Sequence, residues 1–164
     1  MKISKYVVFV FWVVFVSDAF GQKNDVSRIK FSFEHSRRIP DHFVYIDIQR
    51  KKNSAEMKVE EIPSDTLSAQ WKETKRTYRI TLSKFDRLVE AVRKIDGNET
   101  AGQLGFAGKD GESCSIEMGN LNNKVTYKFW SPGFNTEQRH LQPFLEACKA
   151  ILSTAKLDPE KILD

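Results

Sequence analysis

The strongest constraint in this chain is a change of hydrophobic period within one stretch, Glu112 to Leu152. Cys114, Ile116 and Met118 alternate with Ser113, Ser115 and Glu117, the two-residue repeat of a strand with one buried face. Gly119 to Asn123 is rich in residues that tolerate a tight reversal, and alternation then resumes with Val125, Tyr127 and Phe129. Beyond that the period lengthens. Leu141, Phe144, Leu145, Cys148, Ile151 and Leu152 are spaced by three, four and seven, one apolar stripe on a helix. Asn135 or Thr136 is placed to cap its start. Pro143 then predicts a helix with a weak first turn, the alternative being a separate turn with the proline opening the helix proper.

The same two periods recur earlier. Ile29, Phe31 and Phe33 alternate with polar residues, as do Val44, Ile46 and Ile48 beyond the break at Pro40. Arg50–Ser54 reads as a hairpin turn into a strand Ala55–Glu61 with Met57 and Val59 inward. Pro63–Lys75 has no clear period, and fits a short strand through Leu67, Ala69 and Trp71 as well as a long loop. Tyr78, Ile80 and Leu82 alternate again. Ser83, with Asp86 three residues on, predicts a capped helix carrying Phe85, Leu88, Val89, Val92 and Ile95 on one face, Glu90 pairing with Lys94, and a stop at Asp96-Gly97. Asn98 to Gly111 reads as a glycine-rich loop.

Burying both helical stripes requires an α+β fold: a mostly antiparallel sheet of five to seven strands, with two amphipathic helices packed on one face. At 164 residues, with residues 1–21 set aside, residues 22–164 make one domain, large enough to bury a core without metal.

Residues 1–21 carry the pattern of a cleaved secretory signal. Lys2 and Lys5 precede an apolar run, Tyr6 to Val16, of eleven residues. As a helix it spans about 16 Å, short of a hydrocarbon core of roughly 30 Å, so it does not make a membrane span. Ala19-Phe20-Gly21 places small residues for cleavage after Gly21, and Ser17-Asp18-Ala19 for cleavage after Ala19. The expected location is therefore periplasmic or extracellular. Losing Lys2, Lys5 and Asp18 takes the formal charge from +4 to +3, too mild to suggest nucleic acid.

Export makes Cys114 and Cys148 a candidate disulfide, since one points inward from a strand and the other from the helix above it. Closing a loop of about 35 residues contributes roughly 3–4 kcal/mol in the chain-entropy view. The alternative is two buried thiols packing as small hydrophobes. Neither cysteine sits in the electropositive setting of a nucleophile.

No catalytic set is evident. His35, His42 and His140 lack metal-ligand spacing, so no metal or cofactor is implied. Gly102 to Gly108 loosely matches a phosphate-binding loop but neither follows a strand nor opens a helix. The basic runs Arg50-Lys51-Lys52 and Lys72–Arg76 sit at turns, as solvated charge or as contacts for an anionic envelope surface. Asn98-Glu99-Thr100 is a glycosylation triplet, meaningful only in a eukaryotic host.

Strict alternation turns Phe43, Tyr45, Thr126, Lys128 and Trp130 away from the helices. Unless Leu67 and Trp71 fold over them, Phe43, Tyr45, Lys128 and Trp130 form a candidate binding face with the composition of an interaction hot spot. The expectation is an exported, non-enzymatic protein that binds another protein, of an inhibitor or immunity type. The alternatives are a carrier for a lipid or other apolar ligand and a small hydrolase.

Overall fold

The computed structural model describes residues 26–35, 41–63, 73–100 and 111–163. Six strands form one antiparallel sheet: β1 (Arg28–His35), β2 (Asp41–Arg50), β3 (Ala55–Pro63), β4 (Thr74–Ile80), β5 (Glu112–Gly119) and β6 (Lys124–Trp130). Two long helices, α1 (Leu82–Arg93) and α3 (Gln142–Thr154), and two short ones, α2 (Gly97–Thr100) and α4 (Pro159–Leu163), complete the fold. The spatial order is β4-β3-β2-β1-β5-β6, so β1 lies between two units far apart in sequence. Its residues pair on one side with β2 (Phe31 opposite Ile46) and on the other with β5 (Phe31 opposite Ile116).

The alternation fixes what lies inside. Ile29, Phe31, Phe33, Val44, Ile46, Ile48, Met57, Val59, Cys114 and Ile116 are all buried, as are Phe85, Val89 and Val92 of α1 and Phe144, Cys148, Ile151 and Leu152 of α3. The two helices pack on each other and on this one face, and α1 lies over β2 and β5. Phe129 and Phe144 meet edge to face at 4.7 Å between ring centres, locking β6 to α3. The expected α+β class, with its one-sided helical cover, is thus what the chain adopts. Arg50 fastens the β2–β3 turn to α1, pairing with Asp86 and lying 5.5 Å over the Phe85 ring.

Several local expectations are corrected. The cap of α1 is Thr81, whose Oγ1 accepts from Lys84 N at 3.2 Å, so Ser83 lies in the first turn and Leu82 opens the helix instead of ending a strand. Glu90 pairs with Arg93, at 2.9 Å, not with Lys94. Gly97 begins α2, with the Asp96 carboxylate accepting from Asn98 N at 2.8 Å, so the segment after α1 is not loop throughout. Pro143 stands in the first turn of α3, where its missing N–H costs nothing, and residues 131–140 are a separate run of turns. The favoured single helix from Asn135 is therefore replaced by the alternative. The strand at Tyr78 starts at Thr74, while Leu67, Trp71 and the glycines at 102, 105 and 108 lie outside the described residues, as does the whole of residues 1–21.

Arg139 clamps the turns between β6 and α3, with Thr136 adding bonds to the Pro132 and Gly133 carbonyls at 2.9 and 3.0 Å. Arg139 is buried, and its guanidinium donates to the carbonyls of Trp130 (2.8 Å), Ser131 (2.7 Å) and Phe134 (3.0 Å). Ser131, Asn135 and His140 in this run adopt left-handed backbone (φ 38°, 50° and 53°), a conformation that needs such outside support. Arg139→Ala should leave those carbonyls without their donor and cost about 3 kcal/mol. A urea titration should show the loss, and a midpoint unchanged from the parent would dismiss the clamp.

Candidate functional site

The face of the sheet opposite the helices is built from the polar half of each strand. Reading across it, one row runs Lys58, Asp47, Lys30, Glu117, Thr126. The next runs Glu60, Tyr45, Ser32, Ser115, Lys128, and the third Ile62, Phe43, Glu34, Ser113, Trp130. The four residues expected to form one aromatic patch thus stand in two pairs. Phe43 and Tyr45 lie on β2, Lys128 and Trp130 on the edge strand β6, and β1 and β5 run between them. Three strand spacings separate Tyr45 from Lys128, about 14 Å. Phe43, Tyr45 and Trp130 are half-buried and Lys128 is exposed.

The floor between the two pairs is small and hydrogen-bonded. Ser32 Oγ and Ser115 Oγ lie 2.8 Å apart at the centre of the sheet. Gly111 lies close against the Trp130 side chain: a Cβ there would sit 2.8 Å from the indole Nε1, and Gly111 has φ 142°. Position 111 therefore needs glycine both for its backbone and for the ring's approach.

The first row is an ion-pair lattice. Arg28 grips Asp47 through two parallel bonds, Nε to Oδ1 and Nη2 to Oδ2, both 2.7 Å. Gln49 adds a third at 3.1 Å. Asp47 is 6% exposed. Burial works against its charge, but the bonds from Arg28 and Gln49 prevail and hold the carboxyl below the usual range. Glu117 is likewise held low, by Lys30 at 2.8 Å and Lys124 at 2.9 Å. Burial, with the negative charge of Asp47 nearby, raises the Tyr45 hydroxyl, keeping it a neutral donor. Sequence alternation could place these charges on one face but not assign their partners, which depend on strand order.

Part of the basic runs is matched by acidic partners, while Lys72 lies outside the described residues. Besides Arg50 with Asp86, Lys75 lies 2.8 Å from Glu73 and 3.8 Å from Glu60, and Arg76 pairs with Glu61.

Cys114 and Cys148 do meet across the β5–α3 contact, but as free thiols, not as the expected bridge. Their mutual hydrogen bond, together with burial, pushes the Cys114 thiol well above its ordinary range.

A second locality escaped the sequence reading. His35 stands opposite Glu112 across β1 and β5, and both line a shallow pocket of about 360 Å³ with Ser131 and Phe134. Glu112 is buried, while Phe134 is 53% exposed. The signal was hidden because the three polar residues come from strand ends remote in sequence. His140 is not among the residues lining this pocket, the side chain of His42 lies outside the described ones, and no group of three or more metal-ligating side chains occurs among the described residues.

No family model matches the chain, and no curated protein resembles it significantly. No helix among the described residues is long and apolar enough to cross a membrane.

The Asp47 and Glu117 pairs contribute to the acid limb of stability. A carboxyl held low when folded takes up protons more readily unfolded, so its contribution is present at neutral pH and disappears as pH falls below about 5. Asp47→Asn should lower stability by about 1 kcal/mol at pH 7, since Arg28 is partly solvated, and flatten the decline towards pH 2. Thermal melts across that range check it; parallel curves for parent and variant would show that Asp47 does not contribute.

Proposed function

We propose that this chain is an exported, non-enzymatic binding protein that engages another protein, as an inhibitor or immunity-type partner, across the open face of its sheet. The observation that carries this reading is the arrangement of Phe43 and Tyr45 on one side, Lys128 and Trp130 on the other, and a serine floor between them. Aromatic rings with a lysine at the rim, set about a polar floor, have the make-up of an interface in which a few anchors carry most of the affinity. A gap of about 14 Å admits one helix, whose diameter with side chains is about 10–12 Å. The core under α1 and α3 is filled by interlocking side chains, which offers the apolar-carrier reading no comparable support.

Export is part of this proposal. It rests on the charged start and short apolar run of residues 1–21, and places the mature protein in the periplasm or outside the cell. In that setting Cys114 and Cys148, neighbours in the folded protein, would close into a bridge as the chain folds and before they are buried, a small-molecule disulfide accepting their electrons and being released as two thiols. An anionic envelope surface is a subsidiary partner, through Lys51 and Lys52 at the exposed β2–β3 turn.

A hydrolase is the second reading, favoured by the pocket that gathers His35, Glu112 and Ser131. A serine-directed phosphonate probe should label Ser131 if it is a nucleophile.

Tyr45→Ala and Trp130→Ala each remove an anchor from one wall. Both should weaken capture of a partner from envelope extract by about tenfold or more while leaving the melting temperature within a few degrees. Loss of several kcal/mol of stability in both would put the rings in a core and end the binding-face reading. Intact mass of exported protein should begin at Gln22 or Phe20; retention of Met1 would overturn export.

A further inference from the structure

The two edges of the sheet differ in what they offer another strand. Edge strand β4 carries Lys75, Arg76 and Arg79 within seven residues, the charged protection typical of an edge that stays single. Pairing β4 antiparallel with itself about Thr77 would set Lys75 against Arg79 twice over. Edge strand β6 reads Lys-Val-Thr-Tyr-Lys-Phe-Trp, rich in β-branched and aromatic residues. Among the described residues its one neighbour is β5. Val125, on its helix-side face, is still 36% exposed, and Leu121 at the adjoining turn is fully exposed.

We infer that β6 is a homodimerisation edge, pairing antiparallel with β6 of a second copy about Tyr127 to form one continuous twelve-stranded sheet. The register is set by charge. Centred on Tyr127, Lys124 falls opposite Trp130 of the other copy and Lys128 opposite Thr126, so no two lysines face each other. Lysine beside indole is favourable, and lysine opposite threonine neutral. On the helix side, Val125 meets Phe129, covering the apolar surface that one copy leaves open. Moving the centre one residue either way brings lysines together: Lys124 faces Lys128 about Thr126, and Lys128 faces itself about Lys128. The sequence of β6 thus complements itself in one register and repels in its neighbours. This pairing does not depend on the partner-binding reading, because its readout is the mass of the protein alone.

The test uses the exposed Thr126, which lies away from the core. Sedimentation equilibrium of the purified protein at low salt should show a concentration-dependent dimer. Thr126→Lys puts like charges opposite at two symmetric places and should raise the dissociation constant about fivefold or more. Thr126→Glu should lower it by a similar factor, and joining Thr126→Lys with Lys128→Glu, which again sets unlike charges opposite at both places, should likewise bring it below the parent value. A monomer at all concentrations up to about 1 mM would overturn the inference, as would equal shifts in the lysine and glutamate variants. Circular dichroism should be unchanged in all of them, and melting should shift only slightly, down for Thr126→Glu and up for Thr126→Lys, because position 126 faces Glu117 within each copy.

Discussion

Burial of a single sheet face beneath α1 and α3 is the constraint from which the other features follow. Strands of period two carry as many residues on one face as on the other, and the two long helices meet the face that holds Phe31, Ile46 and Ile116. The opposite face must therefore satisfy its own charges. It does so across strands: Arg28 with Asp47, Lys30 and Lys124 with Glu117, Ser32 with Ser115. Asp47 is buried beneath its partners without any helix of the described residues above it. That surface is consequently an ordered lattice with aromatic groups on β2 and on the edge strand β6, not a uniform apolar plate.

What was readable in the chain was the part governed by local periodicity. The inward sets on β1, β2, β3 and β5 and the stripe on α1 are buried as their spacing demands, as is the stripe of α3 apart from Leu145, which is half-buried. Boundaries were less legible because competing signals stood close together. Thr81 and Ser83 are both good caps, and which one serves depends on where β4 releases the chain. Pro143 fits a kink inside a helix or its first turn, and the left-handed turns pinned by Arg139 decide for the second. Arg139 itself gave no sign, since a lone arginine in a polar stretch looks like surface. Strand order was illegible. Nothing local indicates that β1 pairs with β5, and that pairing separates Phe43 and Tyr45 from Lys128 and Trp130 and brings His35 against Glu112.

The two localities on this molecule differ in chemical character. The ion-paired face offers fixed charges, a neutral phenol and partly covered rings, a surface suited to recognition. The His35–Glu112–Ser131 pocket groups an imidazole, a carboxyl and a hydroxyl at the end of the sheet. They share the central strands β1 and β5, so a change in that pairing would disturb both.

The central place of β1 also bears on how the molecule assembles. Its pairing with β2 is local, closed by a short connection, whereas its pairing with β5 joins residues such as Ser32 and Ser115 that lie 83 positions apart. A nascent chain can form β1 to β4 and α1 long before β5 exists. During that interval Ile29, Phe31 and Phe33 line a strand edge open to solvent on one side. High contact order of this kind slows folding and leaves a sticky intermediate. A holding chaperone, or passage through a membrane before the chain can fold, would spare this protein that waiting period.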